Sequence, residues 1–220
     1  MPFVDRKDAG QQLAKALAHY KDKQQVVLAL PRGGVPVAAE IAAALDAPLD
    51  LILVRKIGAP FQPELAMGAV VDGMKPITVR NEEVITLSGV SESEFNAVRD
   101  QELAEIERRR KRYLGDRPHP QIAGRTVIVV DDGIATGATT RAALRATRMR
   151  KPGKLVLAVP VAPTDSLKEL RGEADEFVCL EDYEEFGAIG LFYSDFRQVS
   201  DLEVIEMLAR HPVKSPAVPG

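Results

Sequence analysis

The stretch Thr126-Val-Ile-Val-Val-Asp131-Asp132-Gly133-Ile-Ala135-Thr136-Gly137-Ala138-Thr139-Thr140 decides how this chain reads. Val127 to Val130 is apolar at every position, which predicts a parallel strand buried on both faces. Two acids end it. A loop of small residues follows, and a helix is expected from about Arg141. Gly133 and Gly137 let the loop turn tightly and let a ligand approach the backbone. Thr136, Thr139 and Thr140 supply hydroxyls. The first amides of the next helix are unpaired donors at the positive end of a dipole, a place that binds phosphate. The acid pair beside it suits the hydroxyls of a sugar, or a metal ion. The plain alternative is an ordinary strand–helix turn, but few of these carry an acid pair followed by Thr-Gly-x-Thr. No Gly-Lys-Ser/Thr follows, so this is not a Walker A loop.

Outward from this stretch, strands and helices alternate. Asp5 to Tyr20 reads as a helix and Val26 to Leu30 as a buried strand. Val35 to Leu45 reads as an apolar helix and Leu49 to Val54 as a second buried strand. Arg55 to Glu64 reads as a loop. Leu65 to Val71 and Ile77 to Val79 read as short strands that could pair across Asp72-Gly73. Ser91 to Leu114 is the longest helical pattern, opened by the capping box Ser91/Glu94. Beyond the central motif come a helix (Arg141 to Arg150), a strand (Leu155 to Val161), a short helix (Asp165 to Arg171) and a strand (Phe177 to Leu180). The capping box Ser200/Glu203 opens a last helix to about Arg210. The alternation predicts an α/β fold with a central, mostly parallel sheet flanked by helices and right-handed crossovers. One domain is expected over 1–220: a core at about 20–175, a helical insertion at 91–114, a small C-terminal cover at 176–205 and a frayed tail at 212–220.

The 220 residues suffice for such a domain, and the formal net charge of -3 gives no electrostatic case for nucleic acid or an anionic membrane. No apolar run approaches membrane-spanning length, and no signal peptide is apparent; a cytoplasmic protein fits. The single Cys179 reads as a buried structural thiol rather than a nucleophile. The basic run Arg108 to Arg112 reads as a solvated helix end paired with Glu102, Glu105 and Glu107, although it also invites a nucleic-acid reading. His19, His119 and His211 form no ligand cluster in the sequence.

Ligands of parallel sheets bind at the carboxyl ends of the strands. That rule gathers the segments after Leu30, Val54 and Val130. Pro31-Arg32-Gly33-Gly34 exposes amides and a fixed positive charge, which suits a diphosphate; it could also be only a turn. Arg55 and Lys56 end a buried strand. Either an anion partners them, or they snorkel to the surface.

The central stretch resembles the phosphoribosyl-pyrophosphate (PRPP) motif of type I phosphoribosyltransferases, and Val127 to Thr139 matches it in full. Arg32-Gly33-Gly34 looks like that family's pyrophosphate loop. Arg55-Lys56-Ile57-Gly58-Ala59-Pro60 resembles a stretch of the adenine-specific members, with one residue fewer before the proline. The aromatic segment Glu185 to Arg197 resembles the C-terminal hood that covers the nucleobase; packing of the last helix is the competing reading. Two features depart from the family. Ala135 stands where 6-oxopurine enzymes place an aspartate beside the base, and the Ser91–Leu114 helix lengthens a connection that is usually short.

The resemblance implies a type I phosphoribosyltransferase fold and transfer of phosphoribose from PRPP to a nitrogen acceptor, such as a nucleobase, with release of pyrophosphate. It implies that Asp131 and Asp132 hold the ribose hydroxyls and, indirectly, a Mg²⁺ that arrives with PRPP. Ala135, Thr136, Gly137, Ala138 and Thr139 would hold the 5′-phosphate. Arg32, Gly33, Gly34, Arg55 and Lys56 would meet the diphosphate, and Phe192, Tyr193 and Asp195 the base. Phe61 to Val71 would serve as the closing loop. Members of the family often pair, which extends to a homodimer here. A non-catalytic PRPP or nucleotide sensor and a hydrolase that passes phosphoribose to water are the alternatives.

Overall fold

The computed structural model describes residues 2–73 and 76–213. The elements run α1 (Arg6–Ala16), β1 (Val26–Ala29), α2 (Gly34–Leu45), β2 (Leu49–Leu51), β3 (Val54–Ala59), β4 (Gln62–Val71), β5 (Ile77–Arg80) and α3 (Glu82–Leu87). They continue with α4 (Glu92–Leu114), β6 (Thr126–Val130), α5 (Ala138–Met149), β7 (Lys154–Pro163), α6 (Thr164–Leu170), β8 (Glu176–Tyr183) and α7 (Asp201–Ala209). Five strands form one parallel sheet in the order β2-β1-β6-β7-β8.

Alternation along these strands divides the core in two. Val27, Ala29, Ile128, Val130, Val156 and Ala158 face α1, α2 and α7. Val26, Leu28, Val127, Val129, Leu155 and Leu157 face α5, where Ala142, Ala143 and Ala146 allow close packing. With both faces covered, the strands are apolar throughout, as the central stretch requires. The caps at Ser91 and Ser200 form the expected reciprocal hydrogen bonds. Residues 214–220 of the expected tail lie outside the described residues.

The segment after β2 corrects the sequence reading. Pairing in the parallel sheet stops at Leu51, and Val54 opens a second, antiparallel sheet β3-β4-β5. Arg55 to Glu64 is therefore a hairpin rather than a loop. Its glycine marks an irregularity between strands: the register shifts on either side of Gly58, and a Cβ there would lie 2.4 Å from the Pro63 carbonyl oxygen. Phe61 to Val71, expected to be a closing loop, is the hairpin tip and β4; Phe61 to Glu64 are exposed, Phe61 at 88%, and burial begins beyond them. The short α3, capped by Asn81, was not anticipated. The pairing of β4 with β5 agrees with the reading of Leu65 to Val71 and Ile77 to Val79.

Candidate active site

Asp131 and Asp132 leave β6 at its carboxyl end, with β1 and β7 on either side. The turn after β1 presses on them. A Cβ at Gly33 would lie 1.9 Å from Asp132 Oδ2, and one at Gly34 2.8 Å from the Val130 carbonyl oxygen. Only glycine permits that approach. The Pro31–Arg32 peptide bond is cis.

The two acids are unequally provided for. Arg6 Nε meets Asp132 Oδ2 at 2.7 Å, with both side chains nearly buried. The same guanidinium donates to the Arg197 carbonyl at 2.8 Å and lies 3.8 Å from the centre of the Phe196 ring. The Tyr193 hydroxyl donates to the Asp132 carbonyl at 2.6 Å. The Asp131 carboxylate accepts the Asp132 amide at 2.9 Å and faces the Asp132 carboxylate. Burial, and then the charge of Asp132, push the Asp131 carboxyl well above its usual range. The pair can therefore hold one proton readily and accept hydrogen bonds from sugar hydroxyls when ionised.

The small-residue loop ends at Gly137, left-handed at φ 73°, and α5 begins at Ala138, three positions before the expected Arg141. No side chain caps this helix. Its first amides thus remain available to an anion. Ser166 Oγ donates to the Ala135 carbonyl at 2.9 Å and steadies the loop. Ala135, Thr136, Ala138 and Thr139 are all exposed.

The expected diphosphate cations are distributed over three cavities. Arg55, paired with Glu102 at 2.6 Å, borders a cavity of about 60 Å³ together with Pro31, Arg109, Asp131 and Thr139. Lys56, paired with Glu64 at 3.1 Å, borders one of about 370 Å³ beside Ala138 and Thr139. Arg32 turns instead to Asp201, 3.6 Å away, in a third cleft. Gly33, Gly34 and Arg55 thus gather at the acid pair, whereas Arg32 and Lys56 flank it.

The aromatic segment does not present Tyr193 to a base. That ring is 2% exposed, 5.3 Å from Phe3 and 5.0 Å from Phe196, so it packs the core and holds Asp132 in place. Phe192 stacks on Tyr183 and Phe186 at 4.7 and 4.9 Å. Asp195 Oδ1 accepts the Arg197 amide. The hydroxyl of Tyr193 and the ring of Phe196 converge on the Asp132–Arg6 pair, and the rings of the segment cluster with Phe3, Ala9 and Val161 rather than packing the last helix. Cys179 donates to the Glu181 carbonyl, and burial pushes its thiol up to about 12. Half-buried rather than buried as expected, it stays protonated, as a structural thiol does.

Arg6 and Arg109 escaped the sequence reading. Arg6 had a signal: a cation in the first turn of a helix opposes the dipole and needs a reason. Arg109 was hidden inside a charge run. Among the described residues no three His, Cys, Asp or Glu side chains converge as a metal site, and no helix is long and apolar enough to cross a membrane.

The chain is similar to known proteins. Residues 6–196 match the family model described as a phosphoribosyl transferase domain. A protein of Mycobacterium tuberculosis H37Rv named "Putative phosphoribosyl transferase Rv0571c" is 47% identical over 208 residues, which is 94% of this chain and 46% of that protein. The chain thus spans about half the length of the curated relatives it matches. The crystal structure of TT1426 from Thermus thermophilus superposes with a TM-score of 0.85 at 39% identity, over 97% of this chain and 100% of the other. A hypothetical protein from Neisseria gonorrhoeae, solved with bound ppGpp, shares the fold alone, with a TM-score of 0.50 and 13% identity over 96% and 98% of the two chains. The acid pair, the glycine turn pressed on it and the uncapped helix behind it thus sit within a matched span that covers most of the chain, which belongs to the phosphoribosyl transferase domain family.

Proposed function

We propose that the protein binds PRPP and transfers its phosphoribosyl group to a nitrogen acceptor of the nucleobase type, releasing pyrophosphate. The observation that carries this reading is the acid pair at the end of β6, set between the Gly33–Gly34 turn and the uncapped start of α5. Asp131 and Asp132 take the ribose 2′- and 3′-hydroxyls. The amides of Ala135 to Thr139, with the hydroxyls of Thr136 and Thr139, take the 5′-phosphate. The Gly33 and Gly34 backbone meets the diphosphate, with Arg55 at its side and Arg32 and Lys56 within the adjoining cavities.

Cleavage at the anomeric carbon leaves positive charge on the sugar and sends the electron pair into the diphosphate. Fixed donors around the leaving group stabilise that charge. A divalent ion fits this donor set as a counter-ion of the substrate, because Asp132 already has Arg6 and too few other ligands converge among the described residues. Mg²⁺ bound to the diphosphate would neutralise part of the charge that develops there. Ala135 offers no carboxylate to an acceptor, so any proton the acceptor loses goes elsewhere than to that position.

One observation favours the sensor alternative. Arg6, Arg32, Arg55 and Lys56 each have an internal carboxylate partner, as in a protein that exchanges ion pairs for ligand without chemistry. Pyrophosphate release from PRPP and Mg²⁺ with a panel of nucleobases separates the readings. Release with one base supports the transferase and names its acceptor. PRPP binding without release supports the sensor, and release without any base supports the hydrolase.

A further inference from the structure

The basic run Arg108 to Arg112 does not behave as one solvated helix end. Arg110 turns to Glu107 and borders a cavity with Asp72 and His119. Arg108, Arg109 and Arg112 turn the other way, facing Pro31 and Arg32 across a cleft of about 270 Å³. Residues at these spacings share one face of a helix.

Four guanidiniums in that cleft share two carboxylates. Glu105 serves Arg108 and Arg109, each at 2.7 Å. Asp201 serves Arg112 at 2.6 Å and Arg32 at 3.6 Å, and also accepts the Tyr113 hydroxyl at 2.7 Å. Positive charge is therefore in excess; Arg108 grips Glu105 with two nitrogens, whereas Arg109 meets it through Nε. Pro31 and Arg109 also wall the small cavity that contains Asp131, so the cleft adjoins the candidate active site.

We propose that this arginine face of α4 is an anion subsite that grips the outer phosphate of a diphosphate whose inner phosphate lies on the Gly33–Gly34 turn. The proposal rests on the PRPP reading above and adds a set of residues to it. Guanidinium forks match phosphate oxygens two at a time. Asp201 holds two of the four arginines and stands where it competes with the incoming phosphate. Removing its charge and removing the arginines therefore have opposite effects on anion affinity, a sign reversal that a purely structural clamp between α4 and α7 does not give.

The test is calorimetric titration of the full chain with inorganic pyrophosphate, and separately with ribose 5-phosphate, at fixed ionic strength. Four proteins are compared: the wild type, Arg108→Gln/Arg112→Gln, Asp201→Asn and the opposite-face control Arg110→Gln. The double variant should weaken pyrophosphate binding tenfold or more, equivalent to about 1.4 kcal/mol. Asp201→Asn should tighten it about threefold or more, and Arg110→Gln should leave it within about twofold. Ribose 5-phosphate should bind all four alike. Equal losses in the double variant and Arg110→Gln, scaled per charge, would overturn the subsite in favour of general attraction. Weaker binding in Asp201→Asn would overturn it in favour of a clamp. Should the double variant fail to fold, the Asp201→Asn arm and the exposed single Arg108→Gln still decide. Wild-type protein that binds neither ligand sinks the PRPP reading and the subsite with it. Ribose 5-phosphate binding alongside pyrophosphate binding indifferent to the arginines sinks the subsite alone.

Discussion

Asp50 in β2 and Asp132 just beyond β6 are both buried, 2% and 9% exposed, and each meets a cation at 2.7 Å. Their settings differ. Asp50 meets His119, a neighbour across the sheet edge whose proton it holds above the usual range. Asp132 lies next to Asp131, a second acid that burial, and then the charge of Asp132, push towards the protonated form. Asp50 has the single partner His119, and its other oxygen is buried with no hydrogen-bond donor among the described residues. The acid pair instead sets two carboxylates side by side, with Arg6 held by Asp132, and on the PRPP reading the sugar hydroxyls are the donors that a ligand brings. Such stored unfavourable energy is a recognised mark of functional sites.

The widest separation between the two settings should appear in activity. Asp132→Asn should cut PRPP-dependent pyrophosphate release by about a thousandfold or more, near 4 kcal/mol of barrier, with the fold intact in circular dichroism. Wild-type turnover in that variant would remove the acids from the chemistry. Next in size is Arg6→Gln, which leaves the acid pair without its cation. It should destabilise the protein by about 3 kcal/mol in urea unfolding, and Arg6→Gln/Asp132→Asn should recover much of that. Strict additivity would show that the pair at 2.7 Å carries no coupling.

The pH profiles of Asp131 and His119 sharpen the contrast further. Folding raises the Asp131 carboxyl, so the native chain holds a proton longer than the unfolded one. Stability should fall as pH climbs from about 4 through the raised value, and Asp131→Asn should lack that fall while losing activity. His119 is also raised, by its hydrogen bond to Asp50 first, with burial opposing. Its contribution is complete below about pH 6.5 and is lost as pH rises through the higher folded value. Urea midpoints from pH 6 to 9 should decline in the wild type and flatten in His119→Gln. Equal slopes would mean that His119 is not the group responsible. The smallest effect belongs to a carboxylate on the surface: Glu105→Gln, despite bonds to two arginines, should shift stability by less than about 1 kcal/mol.

The sequence displayed the sheet and the acid pair because local chemistry dictates both. Val127 to Val130 can be nothing but a strand covered on two sides, and Asp131-Asp132 followed by Thr-Gly-x-Thr has few other uses. It concealed what depends on partners distant along the chain. Gly58 and Pro60 announced a loop, yet the pairing of β3 with β4 used the glycine as an irregularity. Phe192 and Tyr193 read either as a cover for a base or as packing, and Tyr193, with Phe196, holds the Asp132–Arg6 pair from behind. Arg109 was one of five basic residues in a row until the packing of α4 separated its faces. Adjacency in sequence says nothing about which side of a helix meets a cleft.

The clasp on Asp132 also bears on when the site comes into being. Arg6 bonds the Arg197 carbonyl from 191 residues away, and the Tyr193 hydroxyl closes on the Asp132 carbonyl. At a synthesis rate of about 5–20 residues per second, Arg6 waits on the order of 10–40 s at the ribosome for its partner. During that interval α1 and the strands through β7 can assemble, while the acid pair stands without half of its support. A nascent chain halted before Tyr193 should therefore carry a sheet yet lack a finished pocket, and the late-emerging aromatic segment acts as the latch that commissions it.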